Sequence, residues 1–323
     1  MDNVNPGLAR VTSDTLHEYV VDVLVQHLDE ADGGILVLAI DGKAAAGKST
    51  WASALANRLK SAGRNAAILE ADWFLKDRGW RNAQMEKLET RKAPKRGVVV
   101  PADFHLQFWN WNKLDDAMEE VEDSAKYGEK KVPLEGVYNR KTGNCDDVEE
   151  ITIGPGAVLI VPGSYLLAQR FRTVIDCSIL LYVNKEEGRR RKLNREIQKG
   201  EFPSAERIGT VISTWELIEE PTFLRHMIAH GSSANIIIDN SDPIMPSVIK
   251  FEIEPSAVVR RSLGTRGGVQ IPAGQDSIGR FVQKEATHIS GNLASLVDPA
   301  AVELTFAEND AQVTIALPPL SPK

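Results

Sequence analysis

Apolar residues along this chain form two kinds of pattern, short continuous runs and stripes at helical spacing, and the two kinds alternate. Residues 14–29 carry Leu16, Val20, Val23, Leu24 and Leu28 on one stripe, with Thr12, Ser13 or Asp14 available as a cap. The spacing predicts a helix over 12–30, ended by Asp32-Gly33-Gly34. Ile35–Ile40 is a continuous apolar run bounded by turn residues, the mark of a strand buried on both faces. A glycine-rich turn follows, then a helix over Thr50–Ser61 closed by Gly63. Further strands are predicted at Ala66–Glu70, Ala157–Val161, Ile179–Val183 and Asn235–Asp239. Further helices are predicted at 112–126, which reads as acidic and exposed, at Glu186–Lys199 and at Ala205–Glu219. Strands alternating with helices imply an α/β fold, a mostly parallel sheet with helices on both faces.

The texture changes near Asp242-Pro243. Val248, Lys250 and Glu252 oppose Ile249, Phe251 and Ile253, and Val313, Ile315 and Leu317 alternate with polar or small residues. Glycines at 264, 267, 268, 274 and 279 punctuate these runs. The expected division is an α/β domain over 1–241, including the helix at 12–30, and a small antiparallel β module over 242–323.

Composition narrows the function classes. Of the 323 residues, 42% are hydrophobic and 26% charged, the profile of a soluble globular protein. No apolar run approaches the roughly 18 residues a membrane span needs. Met1–Arg10 has neither the charged nor the apolar region of an export signal, and two cysteines, Cys145 and Cys177, make no disulfide framework. A cytoplasmic protein with no membrane partner is expected. The net charge of −7 argues against a general nucleic-acid surface, which needs a basic stripe. One segment runs against that balance. From Lys76 to Arg96 eight basic residues stand against three acidic ones, either a solvated helix face or a mobile loop that helps hold an anionic ligand.

Residues 42–49, Gly-Lys-Ala-Ala-Ala-Gly-Lys-Ser, match G-x-x-x-x-G-K-[ST] without a mismatch. The glycines let consecutive N–H groups curl toward one anion, and the helix that follows aims its positive end at the same point. Lys48 brings a cation to the β- and γ-phosphates, and Ser49 offers a hydroxyl to Mg²⁺. The motif lies between a buried strand and a helix, where the P-loop fold requires it. Gly42, Lys43, Ala44, Ala45, Ala46, Gly47, Lys48, Ser49 and Thr50 are therefore expected to line ATP.

Asp72, in Glu70-Ala71-Asp72-Trp73-Phe74, follows the second strand of the predicted sheet. Parallel strands end on one edge, so its carboxylate can face the phosphates, accept a hydroxyl proton or hold Mg²⁺; the plainer alternative is a helix cap. A basic helix carries Arg191 and Arg195 at i, i+4, a face able to close over a triphosphate or, alternatively, a solvated face paired with Glu186, Glu187 and Glu196. Phe104, Phe108, Trp109 and Trp111 read as core or as the wall of an acceptor pocket, with Asp103 and His105 beside them able to reach a substrate hydroxyl. His226 and His230 lack the Glu of H-E-x-x-H and read as satisfied histidines rather than metal ligands. Asp176 opens a strand and reads equally as a turn residue or a ligand.

With these elements in order, the chain resembles the uridine kinase, phosphoribulokinase and pantothenate kinase group of P-loop kinases over roughly residues 35–240. The likeness rests on IDGKAAAGKST, ADWF, VYNR at Val137–Arg140, the lid-like RRRKLNREIQKG, and STWELIEEPTF with ANIIID. The resemblance implies transfer of the ATP γ-phosphate to a hydroxyl of a small metabolite. It places Asp72 on the family's catalytic Asp, Tyr138 and Arg140 on its acceptor-binding segment, and Arg191 and Arg195 on its lid. Where many relatives read Val-Glu-Gly after the third strand, this chain reads Val161-Pro162-Gly163-Ser164, and Asn139 stands where relatives often carry Asp.

The resulting expectation is a kinase using ATP and Mg²⁺, with Lys48, Asp72, Arg191 and Arg195 catalytic and Ser49 and Asp72 on the metal. Its acceptor would meet Asp72, Asp103, His105, Tyr138 and Arg140 and would be anionic if the basic segment serves it. A homodimer is left open. A nucleotide-dependent switch and a macromolecule-directed ATPase are the alternatives.

Overall fold

The computed structural model describes residues 9–10, 12–30, 35–90, 103–198 and 205–251. Its centre is β2 (Leu36–Gly42), buried at every position. Parallel to it run β6 (Val158–Gly163) on one side and β7 (Cys177–Tyr182) on the other. β3 (Ala66–Ile68) extends the sheet beyond β6, and β8 (Ile236–Asp239) extends it beyond β7. In chain order these five parallel strands are arranged 2-3-1-4-5. β9 (Ser247–Phe251) adds antiparallel to β8, and β1 (Ala9–Arg10) antiparallel to β9.

Alternate residues of β2 explain why it must be covered twice. Leu36, Leu38 and Ile40 pack against α1 (Ser13–Glu30) and α2 (Lys48–Ser61), through Val20, Leu24, Trp51 and Leu55 among others. Val37 and Ala39 face the opposite layer, built from α4 (Trp111–Ala125) and an antiparallel hairpin of β4 (Lys130–Val137) and β5 (Asp147–Ile153). A third apolar cluster joins Phe104, Phe108 and Trp109 to Tyr165 and to α7 (Glu220–His230). Between α2 and α4 lies α3 (Arg78–Thr90), and between β7 and α7 lie α5 (Lys185–Gln198) and α6 (Ala205–Thr214).

The α/β class and the mostly parallel sheet agree with the sequence pattern. Three details differ. The helix over 111–125 is not simply exposed, because Leu114, Ala117, Met118 and Val121 form a buried stripe beneath its acidic face. The helix expected over Ala205–Glu219 is α6, then one π-helical turn (Trp215–Glu219) leading into α7. Ser247–Phe251, read from its alternation as the opening of a separate module, is a strand of the main sheet. Residues 252–323, where the rest of that module was expected, lie outside the described residues.

Candidate active site

The phosphate-binding turn grows out of the C-terminal end of β2, the central strand. A Cβ on Gly42 would lie 2.6 Å from the Leu181 carbonyl oxygen, so only glycine lets β2 pass β7 at this point. Gly47 sits at φ +97° and Ala45 at +67°, the left-handed conformations that fold the backbone back into the helix. No side chain caps α2 and no acidic residue lies in its first turn. Its leading N–H groups and dipole are thus directed at whatever anion the turn encloses.

Within this turn the side chains divide. Lys48 Nζ donates to the carbonyls of Gly42 (2.7 Å) and Lys43 (2.9 Å) and to Ser164 Oγ (3.2 Å), which holds it inside the loop. Burial disfavours its charge, while Asp72 and Asp41 favour it. Lys43 faces the opposite way. Its ammonium is buried against the Glu220 carboxylate, so this residue offers a phosphate only its backbone. Ala46 is buried, and Asn240 Nδ2 donates to its carbonyl at 2.8 Å. Ser49 and Thr50 are exposed at the head of α2, and Ser49 Oγ donates to Glu70 Oε2 at 3.3 Å.

Glu70 is a site residue that the sequence pattern did not single out. It ends the extended segment after β3, and Asp72 follows on a 3₁₀ turn, Ala71–Phe74. Burial and then the neighbouring Asp72 raise the Glu70 pKa. Glu70 therefore stands beside the P-loop hydroxyl, and the charge of Asp72 is felt by it. Pro162 lies on β6 beyond Ile160, the last residue paired with β3, so on that side it removes no ladder bond.

Asp72 accepts from Arg140 Nη2 at 2.9 Å, which brings two predicted site residues together. Tyr138 is joined to the same turn by its N–H on the Trp73 carbonyl, and the Arg81 guanidinium stacks 4.7 Å above its ring. Asn139 uses its side chain locally, accepting the N–H groups of Lys141 and Thr142 to close the turn after β4.

His105 is enclosed, and its Nδ1 lies 2.6 Å from the Tyr165 hydroxyl. Burial lowers its pKa to about 4, with Glu219, Lys192, Asp72 and Arg81 all within electrostatic reach. Asp103 is exposed and its charge is felt by Arg225 instead. Trp109 is buried between Trp111, His105 and Tyr165 within the third apolar cluster, which is the core reading of these aromatics.

The two helix arginines separate. Arg191 donates to Glu187 Oε1 (2.7 Å) and to the carbonyls of Asn240 (2.7 Å) and Ser241 (3.1 Å), a brace at the flank of the P-loop. Arg195 is exposed, and its charge is felt at Lys48. Glu187, held at a pKa of about 2 chiefly by Arg190, supports the paired-face alternative for the start of α5. The basic segment forms α3 and is mostly solvent-facing as far as residue 87; Arg91, Lys92, Lys95 and Arg96 lie outside the described residues. His226 is satisfied by Asp41, and Asp176 Oδ2 accepts the Val37 N–H at 2.7 Å, a structural role.

A 2-3-1-4-5 parallel sheet whose central strand runs through an intact phosphate-binding turn into α2 decides the architecture. The chain has a P-loop-type α/β fold. Solved structures similar to it include a provisionally named fructose transport system kinase from Silicibacter sp. TM1040, at 20% identity, TM-score 0.47, covering 66% of this chain and 94% of that one. A protein described as a possible uridine kinase from Bacillus stearothermophilus is 16% identical, with TM-score 0.36 and coverage of 62% and 94%. D-glycerate 3-kinase from Cryptococcus neoformans var. grubii is 14% identical, with TM-score 0.45 and coverage of 66% and 89%. At these TM-scores the likenesses carry no argument about activity or acceptor. No family model matches the chain, and no curated protein does.

Proposed function

We propose that this chain is an ATP-dependent kinase that phosphorylates a hydroxyl group of a small metabolite. The observation that carries this reading is the convergence of Lys48, Ser49, Glu70 and Asp72 at the C-terminal edge of the sheet, with Asp72 tied to Arg140 on a separate loop. The residues fit Mg·ATP: left-handed Gly47, an uncapped α2, a lysine held in the loop, and a hydroxyl on the Glu70 carboxylate with the charge of Asp72 nearby. Ser49, with Glu70 and Asp72, would hold the cation, and the 42–50 turn would hold the phosphates. Bound Mg·ATP supplies the phosphoryl group and neutralises much of its charge.

The chain's own residues supply the rest. Asp72 takes the proton from the acceptor hydroxyl as its oxygen bonds to phosphorus and the bond to the β-phosphate oxygen breaks. Arg140 keeps the carboxylate in place, and Lys48 and Arg195 supply positive charge where negative charge accumulates. Arg140 and Arg81 border the same space, which favours an acceptor that is itself anionic. Among the described residues no helix is long and apolar enough to cross a membrane. A cytoplasmic enzyme remains our reading.

The test is ADP release from Mg·ATP against nucleosides, sugars, sugar phosphates and hydroxy acids, with Asp72→Asn alongside. Acceptor-dependent release that falls roughly 10²–10⁴-fold in the variant supports the kinase. A nucleotide-dependent switch is the second reading, favoured by Pro162 at the end of β6. Tight Mg·ATP binding without stimulation by any acceptor would select it.

A further inference from the structure

Asp41 is the penultimate residue of β2, one position before the P-loop motif begins, and it is fully buried. Its carboxylate makes four contacts. Oδ1 accepts the N–H groups of Gly42 (2.6 Å) and Tyr165 (2.9 Å). Oδ2 accepts the Leu167 N–H (2.9 Å) and lies 2.7 Å from His226 Nε2. Burial works against its charge, and His226 with the Leu167 N–H outweighs that effect and keeps the pKa below its ordinary value.

Two of these bonds end on the turn that follows β6, residues 163–167. Tyr165 there stands at φ +71° while 1% exposed, a conformation that a bulky side chain keeps only where its surroundings over-determine it. The turn reaches the P-loop, His105 and the segment before Asp72. Ser164 Oγ donates to the Gly42 carbonyl at 2.8 Å and receives Lys48 Nζ. The Tyr165 hydroxyl meets His105, and a Cβ on Gly163 would lie 2.5 Å from Ala71 Cβ, next to Asp72.

We infer that Asp41 is a positioning residue, which fixes Ser164 against Lys48 by holding the strained 163–167 turn with His226. The inference rests on the nucleotide site proposed above and deepens it. Asp41 touches no substrate; it acts on the phosphates through Ser164 and Lys48. A carboxylate that merely stabilised the fold would have no reason to alter one nucleotide's binding more than another's.

The experiment measures Mg·ATP and Mg·ADP affinities by calorimetry for the wild type, Asp41→Asn, Ser164→Ala and the double variant, with thermal melts of each. Because a P-loop lysine serves the β- and γ-phosphates and only ATP carries the second of these, each single variant should weaken Mg·ATP on the order of tenfold, the scale of one charge-assisted hydrogen bond. Mg·ADP should weaken distinctly less, and the double variant should be no worse than Asp41→Asn. Equal losses for both nucleotides, or additive losses in the double variant, would overturn the inference. Should Asp41→Asn fail to fold, Ser164→Ala decides alone: an unchanged preference for ATP over ADP rejects the role. A wild type that binds neither nucleotide removes the site and this inference with it. Missing acceptor turnover would remove only the transferase reading, since these affinities are read without an acceptor.

Discussion

Lys43 Nζ lies 2.6 and 2.8 Å from the two carboxylate oxygens of Glu220, a buried ion pair that joins the P-loop to the start of α7. The π-helical turn at Trp215–Glu219 precedes it. Glu219 and Glu220, adjacent in sequence, both reach cations of other elements, Glu219 meeting Lys192 on α5 and Glu220 meeting Lys43. Turns of this kind recur at functional sites. Here the turn lets two successive carboxylates grip the basic helix and the phosphate loop.

Removing one member of that pair leaves the other charged and enclosed. Lys43→Met or Glu220→Gln should each cost roughly 3–5 kcal/mol of stability, read from urea unfolding. The double change Lys43→Met with Glu220→Met should recover much of the loss, because the pair's own net contribution is small. A double variant as unstable as the sum of the singles would contradict this account.

Glu70 carries a separate expectation. It touches Ser49, and its charge is opposed by burial and by Asp72, so a bound divalent cation would relieve both. Glu70→Gln should raise the Mg²⁺ concentration needed for half-maximal ATP binding by roughly tenfold or more, on the scale of outer-shell effects at metal sites. Titration of nucleotide binding with Mg²⁺ checks it. An unchanged midpoint would leave Ser49 and Asp72 as the cation's residues.

Buried histidines give the fold a pH dependence, His230 among them, its pKa lowered chiefly by burial. Burial holds His17 and His105 each at a pKa of about 4, below the ordinary 6.5. Between those values the unfolded chain binds protons that the folded chain does not, so stability is complete above about 6.5 and declines as pH falls toward 4. The separation sets a scale of roughly 3 kcal/mol per histidine. Denaturant midpoints measured from pH 7.5 to 4 should fall through this window, and His105→Phe should flatten the fall. A decline of the same size in that variant would assign the effect elsewhere.

Much of this arrangement was legible in the chain because it is local. Ile35–Ile40 announced a buried strand by its continuity, and the motif at 42–49 announced its turn by spacing alone. Asp72 was legible because parallel strands end on one edge. Residues whose roles depend on distant partners were not. Nothing near Asp41 signals that Tyr165, Leu167 and His226, between 124 and 185 positions away, converge on it. Glu70 differs from any other strand-end acid only by its contact with Ser49. Arg191 and Arg195 share a helical spacing, yet one braces the P-loop flank and the other is exposed. The hairpin of β4 and β5 was missed because its apolar positions, Val132, Leu134, Ile151 and Ile153, are sparse among charged ones.

The two glycines of the phosphate loop do different work, and alanine at each should show it. Gly42 has no positive φ to satisfy, but its Cβ would meet the Leu181 backbone oxygen at 2.6 Å. Backbone cannot rotate away as a side chain can, so β2 and β7 would have to part. Gly42→Ala should cost stability at the scale of an overpacked core, roughly 1–3 kcal/mol, and weaken nucleotide binding with it. Gly47 stands at φ +97°, and its Cβ would lie 2.8 Å from Asn240 Nδ2, a side-chain atom. Strain in the left-handed region costs about 1–2 kcal/mol, and the chain can relieve it by re-folding the loop away from its phosphate-binding shape. Gly47→Ala should therefore lose Mg·ATP affinity while its thermal midpoint stays closer to wild type than that of Gly42→Ala. Melting curves and nucleotide calorimetry on the two variants separate these roles. If both lost stability and affinity in the same proportion, the loop and the sheet would be one mechanical unit, and the division drawn between the two glycines would be wrong.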